Sequence, residues 1–235
     1  MTNSFVMGHI KRADRNLLIL YVTIFTVCSL ITALIYDISG LSTAFYVSLS
    51  ITLIVIVICT AAYINRVSNL ERRPTFKTLA KFGNFDDIRT QIDTEAVSNK
   101  SASKAKLLFT QHWILHPYWS GLHVIHRPTL VWVYAKDLAT RHYVNCIPTG
   151  TTHTYSVLIH YLDFTTVSSL EINTANQAAA NDLLEYIFKY APWIVIGYTP
   201  KIANLWKANA AEMIAFVTNR YNAFISEGIK GLSNT

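Results

Sequence analysis

From Asn16 to Asn65 the chain carries a single charged side chain, Asp37, and that residue falls at the break between two long apolar runs. The first run is NLLILYVTIFTVCSLITALIY, Asn16 to Tyr36, and the second is LSTAFYVSLSITLIVIVICTAAYI, Leu41 to Ile64. A helix rises about 1.5 Å per residue, so about 20 apolar residues cross a hydrocarbon layer ~30 Å thick. Both runs reach that length. Neither has the polar face that a surface helix of a soluble domain needs. A cleaved secretory signal has an apolar core of about 7–15 residues and a small-residue cleavage site. The first run is longer, lacks that site and leads within a few residues into the second. The expectation is a transmembrane helical hairpin with spans 16–36 and 43–65.

Basic residues set the expected orientation. Lys11, Arg12 and Arg15 precede the first run; Arg66, Arg72, Arg73, Lys77 and Lys81 follow the second; the connection DISGLS has none. By the positive-inside rule both termini face the cytoplasm of a multi-pass inner-membrane protein, with Asp37 to Ser42 outside. The net charge of +6 has the same reading. Juxtamembrane bases are worth about 1 kcal/mol each near an anionic leaflet, which makes Arg66, Arg72, Arg73, Lys77 and Lys81 candidate lipid or partner contacts, with Lys100, Lys104 and Lys106 beyond them. No nucleic-acid-binding motif accompanies the charge, so nucleic acid is not an expected partner. Cys28 and Cys59 lie in the runs and Cys146 in the remainder; no C-x-x-C occurs, and unpaired thiols in a reducing compartment are expected.

The expected organisation is a cytoplasmic segment 1–15, the hairpin 16–65, a basic linker 66–80 broken by Pro74, an α+β domain 81–225 and a tail 226–235. Asn84 is a good N-cap for a helix to Val97, with Asp86 and Asp87 at its positive end and Phe85, Ile88, Ile92 and Ala96 as its apolar stripe. Asp86, Asp87, Asp93 and Glu95 read as a solvated face. After a polar stretch at Ser98 to Lys106 the pattern becomes β: LLFT, HWILHPYW, LHVIH, TLVWVYAKDLA and THTYSVLIHYLD are rich in β-branched and aromatic residues, and Val167 to Ile172 pairs with the last of them. Pro148 to Gly150 is expected as a turn. Six or seven strands in succession predict an antiparallel sheet. Asn173-Thr174 is expected to cap a helix to Tyr190 whose apolar positions include Ala179, Leu183, Leu184, Ile187 and Phe188, and Thr199-Pro200 to open one or two helices reaching Phe224.

A curved antiparallel sheet closed by one C-terminal helix is the arrangement of pleckstrin-homology-like (PH-like) domains. The phrases LLFTQHWILH, TLVWVYAK, NCIPTG and PWIVIGYTPKIANLWK, within roughly Lys81 to Arg220, resemble an uncharacterised family of bacterial membrane proteins in which a two-span anchor is joined to a PH-like cytoplasmic domain. The resemblance implies a fold and a topology. Its motifs, around Trp132 and Tyr134, Pro148 to Gly150, Pro192 and Trp193, and Gly197 and Tyr198, are structural positions and imply no catalytic residue.

Histidine is the residue class with most chemical promise. His112, His116, His123 and His126 fall in one hairpin, and a turn near Trp119-Ser120 would set His116 opposite His123, with Cβ atoms about 4.5–5.5 Å apart. Two imidazoles at that distance suit Zn²⁺ or Cu²⁺, but a third ligand is missing, and half-exposed strand histidines are the plainer account. His142 and Cys146 would lie ~13 Å apart on a strand, too far to exchange a proton. No G-x-S-x-G, Walker A or G-x-G-x-x-G occurs. Trp193, Tyr198 and Trp206, with Trp132 and Tyr134, are candidate aromatics for a ligand groove or interface. Ser29/Ala33 and Ser48/Thr52 are small-residue pairs that allow close helix packing. The leading expectation is a non-enzymatic, cofactor-free binding or regulatory module held at the inner leaflet, with the bilayer, a protein partner or a second copy as its company. The alternatives are a metal-dependent protein using the His-rich hairpin and a subunit of an oligomeric channel or transporter.

Overall fold

The computed structural model describes residues 4–39, 43–69, 71, 73–98, 103–104, 106–119, 121–144, 147–163 and 165–233. Two long apolar helices, α1 (Phe5–Ser39) and α2 (Thr43–Val67), open an α+β chain. Helix α1 starts well ahead of its apolar run. Val6, Ile10, Ala13 and Leu17 recur at helical spacing and are buried, Ser4 Oγ accepts the Met7 N–H (3.1 Å), and Asp93 Oδ1 accepts the Val6 N–H (2.9 Å). The helix thus begins at Phe5, within the segment 1–15 that was set apart from the apolar run, and Asp93 is an acceptor for a helix end, not a solvated carboxylate. Through their apolar runs both helices expose large side chains on most faces, among them Val22, Leu30 and Leu34 of α1 and Ile51, Ile54 and Ile58 of α2. Each contains an 18-residue stretch with a mean hydropathy of 2.5 and is long and apolar enough to cross a membrane.

The two helices meet along a narrow polar seam. Thr32 and Thr52 are buried there with their hydroxyls 3.0 Å apart, Ser48 Oγ lies 3.0 Å from Thr32 Oγ1, and Thr32 also donates to the Cys28 carbonyl (2.9 Å). Small hydroxyl residues let two backbones approach and bond across the gap, as the Ser48/Thr52 pair suggests from sequence. Where the apolar runs end, Asp14 of α1 takes Arg73 (3.0 Å) and Arg66 (3.8 Å). Arg73 is buried and donates as well to the carbonyls of Arg66 (3.4 Å) and Val67 (3.2 Å), the last residues of α2. Pro74 does not break a linker. It opens α3 (Pro74–Ala80) at a position where its missing N–H costs nothing and its fixed φ suits the helix. Helix α4 (Phe85–Ser98) follows as expected, with Asn84 Oδ1 accepting the Asp86 N–H (2.9 Å) and Ile92 and Ala96 buried. The loop residues Gly40 to Ser42, the base Arg72 and most of the stretch between α4 and the first strand lie outside the described residues.

These helices form one compact unit, residues up to Ser98 together with His116–Val124; the second unit is the rest. The first four strands are β1 (Ser103–Lys104), β2 (Leu107–Phe109), β3 (Trp113–Tyr118) and β4 (Gly121–His126), in the order β1-β2-β3-β4. A 3-10 turn at Arg127–Thr129 separates them from β5 (Leu130–Val144), β6 (Ile147–Asp163), β7 (Thr166–Thr174) and β8 (Val195–Ile196), ordered β7-β6-β5-β8. So the strands divide into two sheets where one was expected, because Pro128 has no N–H to continue a ladder. The expected turn at Pro148 to Gly150 is inside β6; the strands change over between Val144 and Ile147, which face each other. Strand β8 runs parallel to β5, the one departure from antiparallel pairing among the described residues.

Helix α5 (Gln177–Tyr190) covers the inward face of the second sheet. Its Ala180, Leu183 and Ile187 join Val133, Val157, Ile159, Leu170 and Ile172 in the core of this unit. Its cap is Asn176, whose Oδ1 accepts the Ala179 N–H (2.8 Å); Asn173 and Thr174 belong to β7. Phe188, one of the apolar positions of this helix, is exposed. Thr199 Oγ1 accepts the Ile202 N–H (3.2 Å) and opens α6 (Pro200–Ser233), in which Asn209 breaks the helical dihedrals and caps the second stretch through Glu212 N–H (3.3 Å). One or two helices were the expectation, and the break at Asn209 makes two stretches of the segment.

Replacing Asp14 by Ala leaves two guanidinium groups facing each other at a buried position. The expected cost is about 3 kcal/mol, with much of it recovered when Arg73→Leu is added, because removing one partner of a buried pair costs more than removing both. Thermal unfolding of the full-length single and double variants measures this; equal Tm for the two would count against a structural Asp14–Arg73 pair.

Candidate functional site

In the first unit the histidine pair forms as the spacing predicts. The rings of His116 and His123 lie 6.1 Å apart with planes 16° from parallel, and Tyr118 stacks on His123 at 4.2 Å. No third metal-ligating residue joins them: among the described residues no three His, Cys, Asp or Glu form a cluster. The arrangement is an aromatic stack at the end of the β3–β4 hairpin, and burial lowers the His123 pKa below its ordinary value. Gly121 is what lets the stack close. A Cβ there would lie 2.8 Å from the Tyr118 hydroxyl, so the ring folds over this residue only while it has no side chain. Thr75, buried on α3, holds the next residue, its hydroxyl donating to the Leu122 carbonyl (3.0 Å).

The five bases expected at the membrane edge divide by environment. Lys77 and Lys81 are exposed; Arg66 and Arg73 are drawn into the Asp14 cluster; Arg72 is outside the described residues. Sequence composition cannot tell these apart. The signal that could have done so is Asp14, a lone acid among the bases that flank the first run.

In the second unit the outward face of the sheet gathers rings. Trp132 and Tyr134 of β5 (4.4 Å), His160 of β6 (5.0 Å from Trp132), Tyr198 (5.2 Å from Tyr134) and Trp206 of α6 (5.1 Å from His160) form one cluster. Trp132 is buried and donates its indole N–H to the Gly197 carbonyl (2.8 Å). Gly197 has φ +87°, which a residue with a Cβ seldom adopts, and its N–H bonds Val133 O (2.9 Å). The turn thus brings Tyr198 and α6 onto Trp132. Of the expected interface aromatics, Tyr198 is exposed, Trp206 is half-buried, and Trp193 is a core residue at 2% exposure, packed by Tyr221 (4.9 Å) and by the Arg127 guanidinium (5.4 Å). Burial lowers the His160 pKa and raises that of Tyr134, to which Tyr198 and Glu171 add. On the same face Ser156 donates to Glu171 Oε1 (2.6 Å), which lowers the Glu171 pKa; partial burial opposes the shift and Lys136 reinforces it.

Two further features belong to this unit. A shallow groove of about 480 Å³ is lined by Asn181, Leu184, Glu185 and Phe188 of α5 and Ile196 of β8. The β5–β6 ribbon carries exposed polar pairs, His153 with Asp137 (3.0 Å) and His142 with Thr152 (2.8 Å); Cys146 lies outside the described residues. These are surface pairs with no nucleophile between them. No family model matches the chain, no curated protein matches its sequence and no solved structure matches its fold.

His123 and His160 are both held below their ordinary value of 6.5 by burial. The unfolded chain therefore takes up protons on these rings at higher pH than the folded chain does, so acid favours unfolding. Stability is expected to be level above about 6.5 and to fall as the pH drops below it. A pH series of Tm measures this, with His160→Gln flattening the acid slope; a slope unchanged in that variant would mean His160 does not titrate on unfolding.

Proposed function

We propose that this chain is a membrane-anchored binding or regulatory protein: α1 and α2 form a two-span hairpin in the inner membrane, both termini are cytoplasmic, and the α+β part is a PH-like module that presents a partner-binding surface at the inner leaflet. The observation that carries the reading is the apolar surface of α1 and α2, exposed along the full length of both runs. In water that surface would be unfavourable by roughly 25 cal/mol per Å². In a bilayer it is the contact surface. Aromatic side chains support it at both ends: Tyr21 against Tyr63 (6.4 Å) near the charged flank, and Tyr36, Phe45 and Tyr46 in a chain of contacts near the connection.

The PH-like assignment draws on β5, β6 and β7 closed by α5, and kinship with the bacterial family suggested by the sequence remains part of the proposal. For the binding half, the groove between α5 and β8 is the best surface, because Phe188 is 45% exposed beside Leu184 and Ile196 without an evident packing role. An extended apolar peptide suits such a groove beside a sheet edge.

Membranes carrying the full-length protein should retain it through alkaline carbonate and release it to detergent. Protease added to inverted vesicles should digest the α+β part, and protease added to right-side-out cells should leave it intact. Release by carbonate would end the anchored reading; the opposite protease pattern would invert the topology. Phe188→Asp should leave the unfolding free energy within about 0.5 kcal/mol of the parent, as exposed substitutions do, while lowering recovery of the partner in affinity purification. Undiminished recovery would move the binding surface elsewhere.

A further inference from the structure

We infer that the tip of the β3–β4 hairpin is a membrane-contact site, with the Trp119 indole seated in the headgroup layer of the leaflet that α1 enters. The inference rests on the reading of α1 as a span, and it adds a second, non-helical point of contact. Its basis is one bond that fixes depth. Asn16 Nδ2 donates to the Trp119 carbonyl at 2.9 Å. Asn16 is the first residue of the apolar run: Arg15, Arg12 and Lys11 precede it, and only uncharged residues follow as far as Asp37. A run from Leu17 to Tyr36 spans about 30 Å of helix, so Asn16 stands at the edge of the hydrocarbon. The Trp119 backbone stands there with it.

The tip is built to hold that position. Tyr118 is folded over Gly121 and stacked on His123, and Thr75 grips Leu122 from the other side. Within this firm support the Trp119 side chain is 54% exposed, while Trp113, Trp132 and Trp193 are each at 2%. A large indole left uncovered beside these contacts, at the depth where charge gives way to hydrocarbon, is the arrangement that places an amphipathic ring in the interfacial layer, its apolar body among the glycerol and upper acyl groups and its N–H toward water. The exposed Lys11, Arg12 and Arg15 on the same stretch of α1 suit the phosphates beside it. The occupant is therefore the phospholipid interface itself.

The test is tryptophan quenching of the full-length protein reconstituted into vesicles whose lipids are brominated either near the carbonyl end or near the methyl end of the acyl chain. The parent should be quenched mainly by the shallow bromines, and Trp119→Phe should lose most of that quenching, because the other four indoles are buried or half-buried. Asn16→Ala keeps the indole while removing the tie, and should weaken the preference for shallow over deep quencher. If Trp119→Phe leaves shallow quenching unchanged in protein that still resists carbonate extraction, the tip does not touch lipid and the inference fails while the anchored reading survives. If the protein is not retained by the vesicles at all, both fail.

Discussion

The cluster of Asp14 with Arg73 and Arg66 is the contact on which the first unit depends. Two apolar helices alone leave their order and ends unspecified, because apolar surface has no direction. One carboxylate solves this by taking two guanidinium groups, 3.0 and 3.8 Å away, from the end of α2 and the start of α3. Arg73 then closes carbonyls at the end of α2 that no further turn of helix would satisfy. A charge cluster so enclosed is a weak source of net stability, since desolvation offsets most of the attraction. What it provides is specificity, because no shifted pairing of the helices offers Arg73 both an acid and two free carbonyls. The hydroxyl seam of Thr32, Ser48 and Thr52 sets the same register further along the pair.

How far this was legible from sequence follows from which interactions are local. The helices over the apolar runs, the Asn84 cap and the Thr199-Pro200 start are each decided within a few residues, and all three form. The start of α1 was missed because its stripe, Val6, Ile10, Ala13 and Leu17, is short and mixed with bases that the orientation argument claimed first. Asn173-Thr174 and Asn176 both carry the side chains of a helix cap, and only the first was read as one. A non-local partner decided between them: Thr174 pairs with Tyr155 across the sheet, so the strand keeps it and the helix begins later. Pro148 to Gly150 failed as a turn for the same reason, since the cross-strand register of β5 with β6 carries the ribbon past it.

The site residues divide in the same way. His116 and His123 were placed opposite each other by the two-residue period of a strand and a short connection, and that arithmetic holds wherever the turn is tight. Trp132, Tyr134 and His160 share a face by strand alternation, but Tyr198 and Trp206 reach them only because Gly197 adopts a left-handed φ and turns the chain back. Nothing in the order of residues marks Trp193 as core and Tyr198 as surface. Both follow Pro or Gly in similar aromatic surroundings, and only the packing of α6 separates them.

The β5–β6 ribbon shows how a long hairpin is kept in register where no third strand supports it. Beyond Tyr155, β6 has no partner but β5, since β7 ends opposite it at Thr174. A two-stranded ribbon is marginal in water by itself. Side chains across it must therefore contribute, and both polar pairs on it are diagonal. Asp137 faces Tyr155 in the ladder yet bonds His153; His142 faces Gly150 yet bonds Thr152. The right-handed twist of a ribbon brings such diagonal neighbours together on each face. A slip of one residue would move each pair to opposite faces and break both at once. The irregularity between His142 and Tyr143 then takes up the change of register before the strands change over at Val144 and Ile147, so the error that a free ribbon would spread along its length is confined to its end.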